Sequence, residues 1–335
     1  MERRVHVHGR SRRSAAFDLK VPAAREAVLA LVAGADVLLE GFRPGVAERL
    51  GLGPADCHAR NPRLVYGRMT GFGQDGPLAL AAGHDLNYLA LAGALHAIGP
   101  AGGAPVPPLN LVADYGGGAL YLAFGVMAAL HERTQSGRGQ VVDAAMVDGV
   151  ASLMGLFHGL QAAGSWSDAR GTNLLDGGAP FYATYETADG KWVSIAAIEP
   201  KFYAELARRI GLDERFVAAQ NDRSQWPAMR EAIAAIVRGR TRAAWCEQLE
   251  GTDACFAPVL TVGEAARHPH ARARGTYVEV EGVVQPGPAP RFDRSAPVPV
   301  RPAPEVGVHT HELLAQAGFT MDDIQALQAA GAIAK

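Results

Sequence analysis

An α/β fold with a parallel sheet, followed by a smaller α+β domain, is what this sequence predicts, and three observations predict it. Short apolar strands alternate with helix-patterned segments over the first 70 residues, a rhythm that builds parallel sheets. A further apolar strand at 140–144 stands between two apolar helices. From about Tyr182 the texture changes to alternating strands joined by Ala188-Asp189-Gly190, which reads as an antiparallel hairpin. The expected division is a large domain over residues 1–180, completed by 285–335, and a small domain over 181–284.

Residues 1–13 are basic and polar; Val5-His6-Val7-His8 has the HxH pattern of a metal-binding strand but reads as a solvated terminus. A strand is expected at 15–20, a helix at 23–31 with apolar residues three and four apart, and a buried-type strand at 35–40. That strand runs into Gly41-Phe42-Arg43-Pro44-Gly45, with Pro44 suited to the first turn of a helix at 46–50. Arg43 thus stands at a strand end, where ligands of parallel sheets gather, and serves either a phosphate or a surface ion pair. The next strand, 64–69, ends in the loop 70–77, rich in turn residues but without a GxGxxG pattern, so a dinucleotide site has little support.

The stretch 82–114 organises the remainder. Gly83-His84-Asp85 precedes the apolar run 86–95, placing Asp85 at a helix start, where capping and the helix dipole favour an acid. Pro105-Val106-Pro107-Pro108 cannot continue that helix, and the chain is expected to return extended through 109–112 to Asp114. Behind it Gly116, Gly117 and Gly118 would let a backbone or a substrate come close. A buried helix is expected at 119–132, a strand at 140–144 and a helix at 150–163, with Asp143 and Asp148 as caps of the turn between them. The small domain reads as strands 182–186 and 192–197, helices 200–210, 226–237 and 241–249, and the strand 255–260. The proline-rich 282–304 reads as a returning linker, with docking helices at 311–317 and 322–330. His268 and His270 read as surface residues.

With 48% hydrophobic residues, 20% charged residues and a net charge of −2, the chain has the composition of a globular enzyme and no general attraction to nucleic acid. Cys57, Cys246 and Cys255 form no CxxC pair, which suits a reducing compartment. The longest uncharged apolar stretch, near 119–130, falls short of the roughly 20 residues that span a bilayer. The first residues lack the apolar core of a signal peptide. A cytoplasmic location is expected.

Imidazole and carboxylate are the groups most often used to move protons, so His84 and Asp114 suit removal of a proton beside a carbonyl, with backbone N–H groups at the helix start facing the developing enolate oxygen. Spacing alone leaves a structural His beside an Asp cap as the alternative.

The strings GFRPGVAERLGLG, MTGFGQDGP, AGHDLNYLALAGALHAIG, PLNLVADYGGGALYLAFGVMAAL, GRGQVVDAAMVDG, LDGGAPFYATYE, AAIEPKFY and DACFAPVL resemble, in order, those of the racemising branch of the class III CoA-transferase (CaiB/BaiF) family. The resemblance implies a Rossmann-like large domain, a smaller α+β domain and an interlocked homodimer. It implies racemisation of 2-methylacyl-CoA thioesters by 1,1-proton transfer, with no cofactor, CoA being part of the substrate. His84 and Asp114 would be the two bases, with Glu199 supporting the His. Asp85, Tyr88, Asn110, Tyr182 and Cys255 would line the acyl pocket or lie beside it, and Arg43, Arg49 and Lys20 would meet the phosphates and adenine of CoA. Members of the family usually begin with a further strand-helix-strand segment, and this sequence starts after it, which would expose a sheet edge and weaken CoA affinity. Two other readings compete: a CoA-transferase in which Asp114 is the acyl-accepting nucleophile, and a non-catalytic acyl-CoA-binding homologue.

Overall fold

The computed structural model describes residues 2–334; Met1, on which the reading of the start falls, and Lys335 lie outside them. Contacts group the chain into two compact units, one of Met1–Gly83, Asp114–Gly149 and Gly263–Lys335, the other of His84–Ala113 and Val150–Val262. This grouping cuts the chain differently from the 1–180 and 181–284 division, because His84–Ala113 and Val150–Val262 lie together.

The first unit is α/β. Strands β1 (Val37–Glu40), β2 (Val65–Thr70) and β3 (Val141–Ala145) form a parallel sheet in the order β1-β2-β3. Along β2 successive side chains alternate faces, and the core follows that alternation. Tyr66 packs with Leu29, Val32, Leu52 and Cys57, carried by or next to the helices Pro22–Ala33 and Pro54–Arg60, each begun by a proline whose missing N–H costs nothing there. Val65 faces the other way, onto Leu122, Val126 and Ala129 of the helix Tyr121–Ser136. The C-terminal helices Thr310–Gln316 and Met321–Ala329 close on Ala24 and Ala27 through Leu314 and Ile324.

Four local expectations are corrected. Residues 15–20 form no strand but a single bridge, Phe17 to Ile333, because the chain turns where Val21 N–H donates to Asp18 O. The first residues are not a loose end: Ser11 N–H donates to Arg301 O, and Arg13 pairs with Glu312 at 3.1 Å. The supposed linker begins with a hairpin, β7 (Tyr277–Val280) and β8 (Val283–Pro286), turned at Glu281 and Gly282 with positive φ. The chain does not reach Asp114 extended. Leu109 takes a left-handed φ of 60°, and a π-helix over Leu111–Leu120 leads into Tyr121–Ser136. The combined helix Leu111–Ser136 is 26 residues long and apolar enough, by length and composition, to cross a membrane, but its Leu122, Val126 and Ala129 pack on the sheet.

The second unit holds the antiparallel sheet of β4 (Tyr182–Glu186), β5 (Trp192–Ala196) and β6 (Phe256–Pro258). Helices Pro200–Ile210, Trp226–Arg238 and Arg242–Leu249 begin and end within a residue of their sequence-read limits. Their apolar faces meet the sheet in one core, where Phe181 contacts the rings of Tyr203 and Trp226 at centroid distances of 5.4 and 5.9 Å. Leu206 is fully buried in that core. Leu206→Ala is expected to lower the unfolding free energy by about 3 kcal/mol, through lost burial and the cavity left behind, read as a shift in the urea midpoint at constant m.

Candidate functional site

His84 is the N-cap of the helix Asp85–Leu91 and is exposed. The side chain of Asn87, three residues on, accepts from His84 N–H at 3.0 Å, the returning half of a capping box, which fixes the chain direction at His84. Asp85 is therefore not the cap; it is the first helical residue, 5% exposed. Its Oδ2 accepts from Ala113 N–H at 2.8 Å, so it ties the helix start to the residue preceding Asp114. Tyr88, one turn along, is also buried, whereas Asn110 is exposed beside the bend at Leu109.

Asp114 is half-buried on the π-helix Leu111–Leu120. Such wide turns are rare, and they recur at functional positions. Backbone does come close behind it, and the glycine this requires is Gly149, on which a Cβ would stand 1.9 Å from Gly117 O. The close neighbour is thus the backbone of the helix Met146–Leu153. Tyr115, next to Asp114, is held by His8, its hydroxyl 2.9 Å from His8 Nε2. His8, read from the sequence as solvated, has this structural task.

Glu199 is the N-cap of Pro200–Ile210; its side chain is exposed and makes no cap bond. Cys255 lies close enough for the Glu199 charge to act on it. Burial first, then the charges of Glu199 and Asp253, push the Cys255 thiol above its ordinary range, so it is a neutral thiol rather than a thiolate nucleophile. Its φ of 48° is left-handed, a conformation that costs a non-glycine residue about 1 kcal/mol or more, while Ala196 N–H donates to its carbonyl at 2.9 Å. Tyr182 stands opposite Ala196 in β4 and, like Cys255, packs on the edge of the core. Glu199, Cys255 and Tyr182 are thus gathered at one end of β4 and β5. No hydrogen bond joins Glu199 to His84 within the chain among the described residues.

The same unit holds an apolar cavity of about 390 Å³, lined by Ala97, Ile98, Val112, Leu153, Met154, Phe157 and Trp166 among others. Its volume lies in the range of small-molecule sites. In the other unit, Lys20, Arg43 and Arg49 are exposed cations without an acidic partner among the described residues. Arg43 and Arg49 lie on the segment that leaves β1 at its C-terminal end, where parallel sheets bind ligands.

Sequence reading missed what stands beneath that segment. Arg68 in β2 is 6% exposed, with Nε 3.0 Å from Glu40 Oε1 and Nη1 2.9 Å from Glu48 Oε1. The hydrogen bond from Arg68 holds Glu48 below the usual carboxylate range. The available signal was a lone Arg inside the apolar strand VYGRMT, following a strand that ends in Glu40, since a buried charge requires a partner. Asp143, opposite Arg68 in β3, is pushed up by burial. Among the described residues no three His, Cys, Asp or Glu side chains group as a metal requires.

Comparison with known proteins sets these features in context. Residues 3–310 match the family described as CoA-transferase family III. The chain is 47% identical to alpha-methylacyl-CoA racemase of Mus musculus, over 94% of this chain and 83% of that protein. It is 44% identical to the Homo sapiens protein of the same name, over 95% and 84%. A crystal structure of a CaiB/BaiF family protein from Brucella suis superposes with a TM-score of 0.76 at 26% identity, covering 92% of this chain and 82% of that one.

Proposed function

The chain belongs to CoA-transferase family III and is an enzyme of isomerase type, and on that premise we propose that it interconverts the enantiomers of 2-methylacyl-CoA thioesters by 1,1-proton transfer. The observation that carries this reading is the 47% identity, over 94% of the chain, to a protein named for that activity.

The chemistry follows from the substrate. A thioester α-proton is acidic because the carbanion delocalises onto oxygen as an enolate, so the enzyme must hold that oxygen while one base removes the proton and an acid opposite returns one. His84 and Asp114 are the pair assigned to the two faces of the α-carbon, and two different groups allow both stereochemical directions. The hydrogen-bonded cap that directs His84 and the half-buried position of Asp114 on a π-helix support that assignment. Glu199 holds the imidazole in its working tautomer and orientation, as a carboxylate that accepts from the far ring nitrogen does. Its lack of a bond to His84 within one chain favours delivery from a second subunit.

A homodimer is accordingly part of the reading, supported by the uncovered row of Leu120, Phe124 and Met127, 68%, 76% and 64% exposed; apolar rows of that kind mark interfaces. Asp85, Tyr88, Asn110, Tyr182 and Cys255 surround the acyl group, and the apolar cavity beside Val112 suits its hydrocarbon part. Lys20, Arg43 and Arg49 take the nucleotide phosphates. The reaction calls for no group beyond the CoA of the substrate, and a cytoplasmic location is retained with it.

Wild-type protein given one enantiomer of a 2-methylacyl-CoA in deuterated water is expected to form the other enantiomer and to incorporate deuterium at the α-carbon. Absence of both at saturating substrate sinks the reading. Hydroxylamine capture of an Asp114 acyl adduct, without exchange, would instead mark a CoA-transferase.

A further inference from the structure

Burying a guanidinium between two carboxylates is costly and seldom repaid in stability, so the arrangement at Arg68 calls for another explanation. Its side chain is 8% exposed and that of Glu40 is 5% exposed. The two carboxylates it binds each hold part of the segment from 41 to 49. Glu40 Oε2 accepts from Phe42 N–H at 2.7 Å, which fixes the bend immediately before Arg43. Glu48 lies in the one-turn helix Val46–Arg49, adjacent to Arg49. Arg68 itself is pinned by the rigid middle strand and by the Tyr66 ring, 5.7 Å from its Cζ. One guanidinium therefore sets both places from which Arg43 and Arg49 project.

We propose that Arg68 is a positioning residue for phosphate recognition, acting through Glu40 on Arg43 and through Glu48 on Arg49, so that the two exposed cations meet the nucleotide phosphates of the CoA thioester as a pair. This rests on the assignment of Arg43 and Arg49 to those phosphates. Two free arginines six residues apart repel each other and are individually mobile; a planar, forked guanidinium that engages both anchoring carboxylates at once removes that freedom before substrate arrives. Lysine, a point charge, cannot divide itself in this way.

The test compares a 2-methylacyl-CoA with the same acyl group on N-acetylcysteamine, a thioester without phosphates, in the α-proton exchange assay. Glu48→Ala, in which the lost side chain is half-exposed, is expected to raise KM for the CoA thioester about 5–10-fold with kcat kept, and to leave the phosphate-free thioester unaffected. Arg68→Lys is expected to do the same, by at least as much. Glu48→Ala and Arg49→Ala combined are expected to cost no more than Arg49→Ala alone, because one acts through the other. If Arg43→Ala and Arg49→Ala raise KM while Glu48→Ala leaves it at the wild-type value, the positioning role is overturned. An equal loss on both thioesters would make Arg68 merely structural, which also overturns it. If Arg43→Ala and Arg49→Ala themselves leave KM unchanged, the phosphate assignment beneath it is what has failed.

Discussion

His84→Ala slows racemisation of a 2-methylacyl-CoA by about 10³-fold, and Asp114→Ala does so by a comparable factor, within the range a positioned proton-transfer group supplies. The two variants are expected to differ in what survives. An enzyme left with a single base can still remove the proton on that base's side and return it there, so deuterium exchange without inversion should persist for one enantiomer. The retained enantiomer should be opposite in the two variants. Chiral chromatography of the product and NMR of the α-position, run on each enantiomer separately, read both quantities. Glu199→Gln should fall between wild type and these variants, since it acts only through the imidazole. Full racemisation in both alanine variants would remove the two-base mechanism altogether.

Gly149→Ala should be among the most damaging single-methyl changes in the parallel-sheet unit. The added Cβ would stand 1.9 Å from Gly117 O and 2.6 Å from Gly117 C, and both are backbone atoms of the π-helix that carries Asp114. No rotamer relieves such a contact; one helix must move away from the other. A loss of about 3 kcal/mol or more is expected, at the upper end of overpacking effects. The melting temperature should fall, and exchange activity should fall further than stability alone explains, because the displaced segment carries Asp114. Gly155→Ala is the control. Its Cβ meets nothing within 4 Å, so the helix Gly155–Ala162 should keep or slightly gain stability. Equal melting of the Gly149 and Gly155 variants would refute the close packing.

Local chemistry and periodicity determined much of this protein by themselves. Short apolar segments at 35–40, 64–69 and 140–144 read as strands, and they are β1, β2 and β3. Proline and spacing marked Pro200–Ile210 to the residue, and ordered motifs pointed to the family. These are properties of neighbours in sequence, which a chain carries before it folds. The tertiary structure decided the rest. A stretch with three prolines before Asp114 read as extended, yet the left-handed Leu109 and the close backbone of Gly149 turned it into a π-helix. His8 looked solvated until Tyr115, 107 residues away, came to it. Arg68 acquired its meaning only when parallel pairing set it beside Glu40, 28 residues distant, since the cost of a buried charge and the partner that offsets it exist only once the strands are assembled.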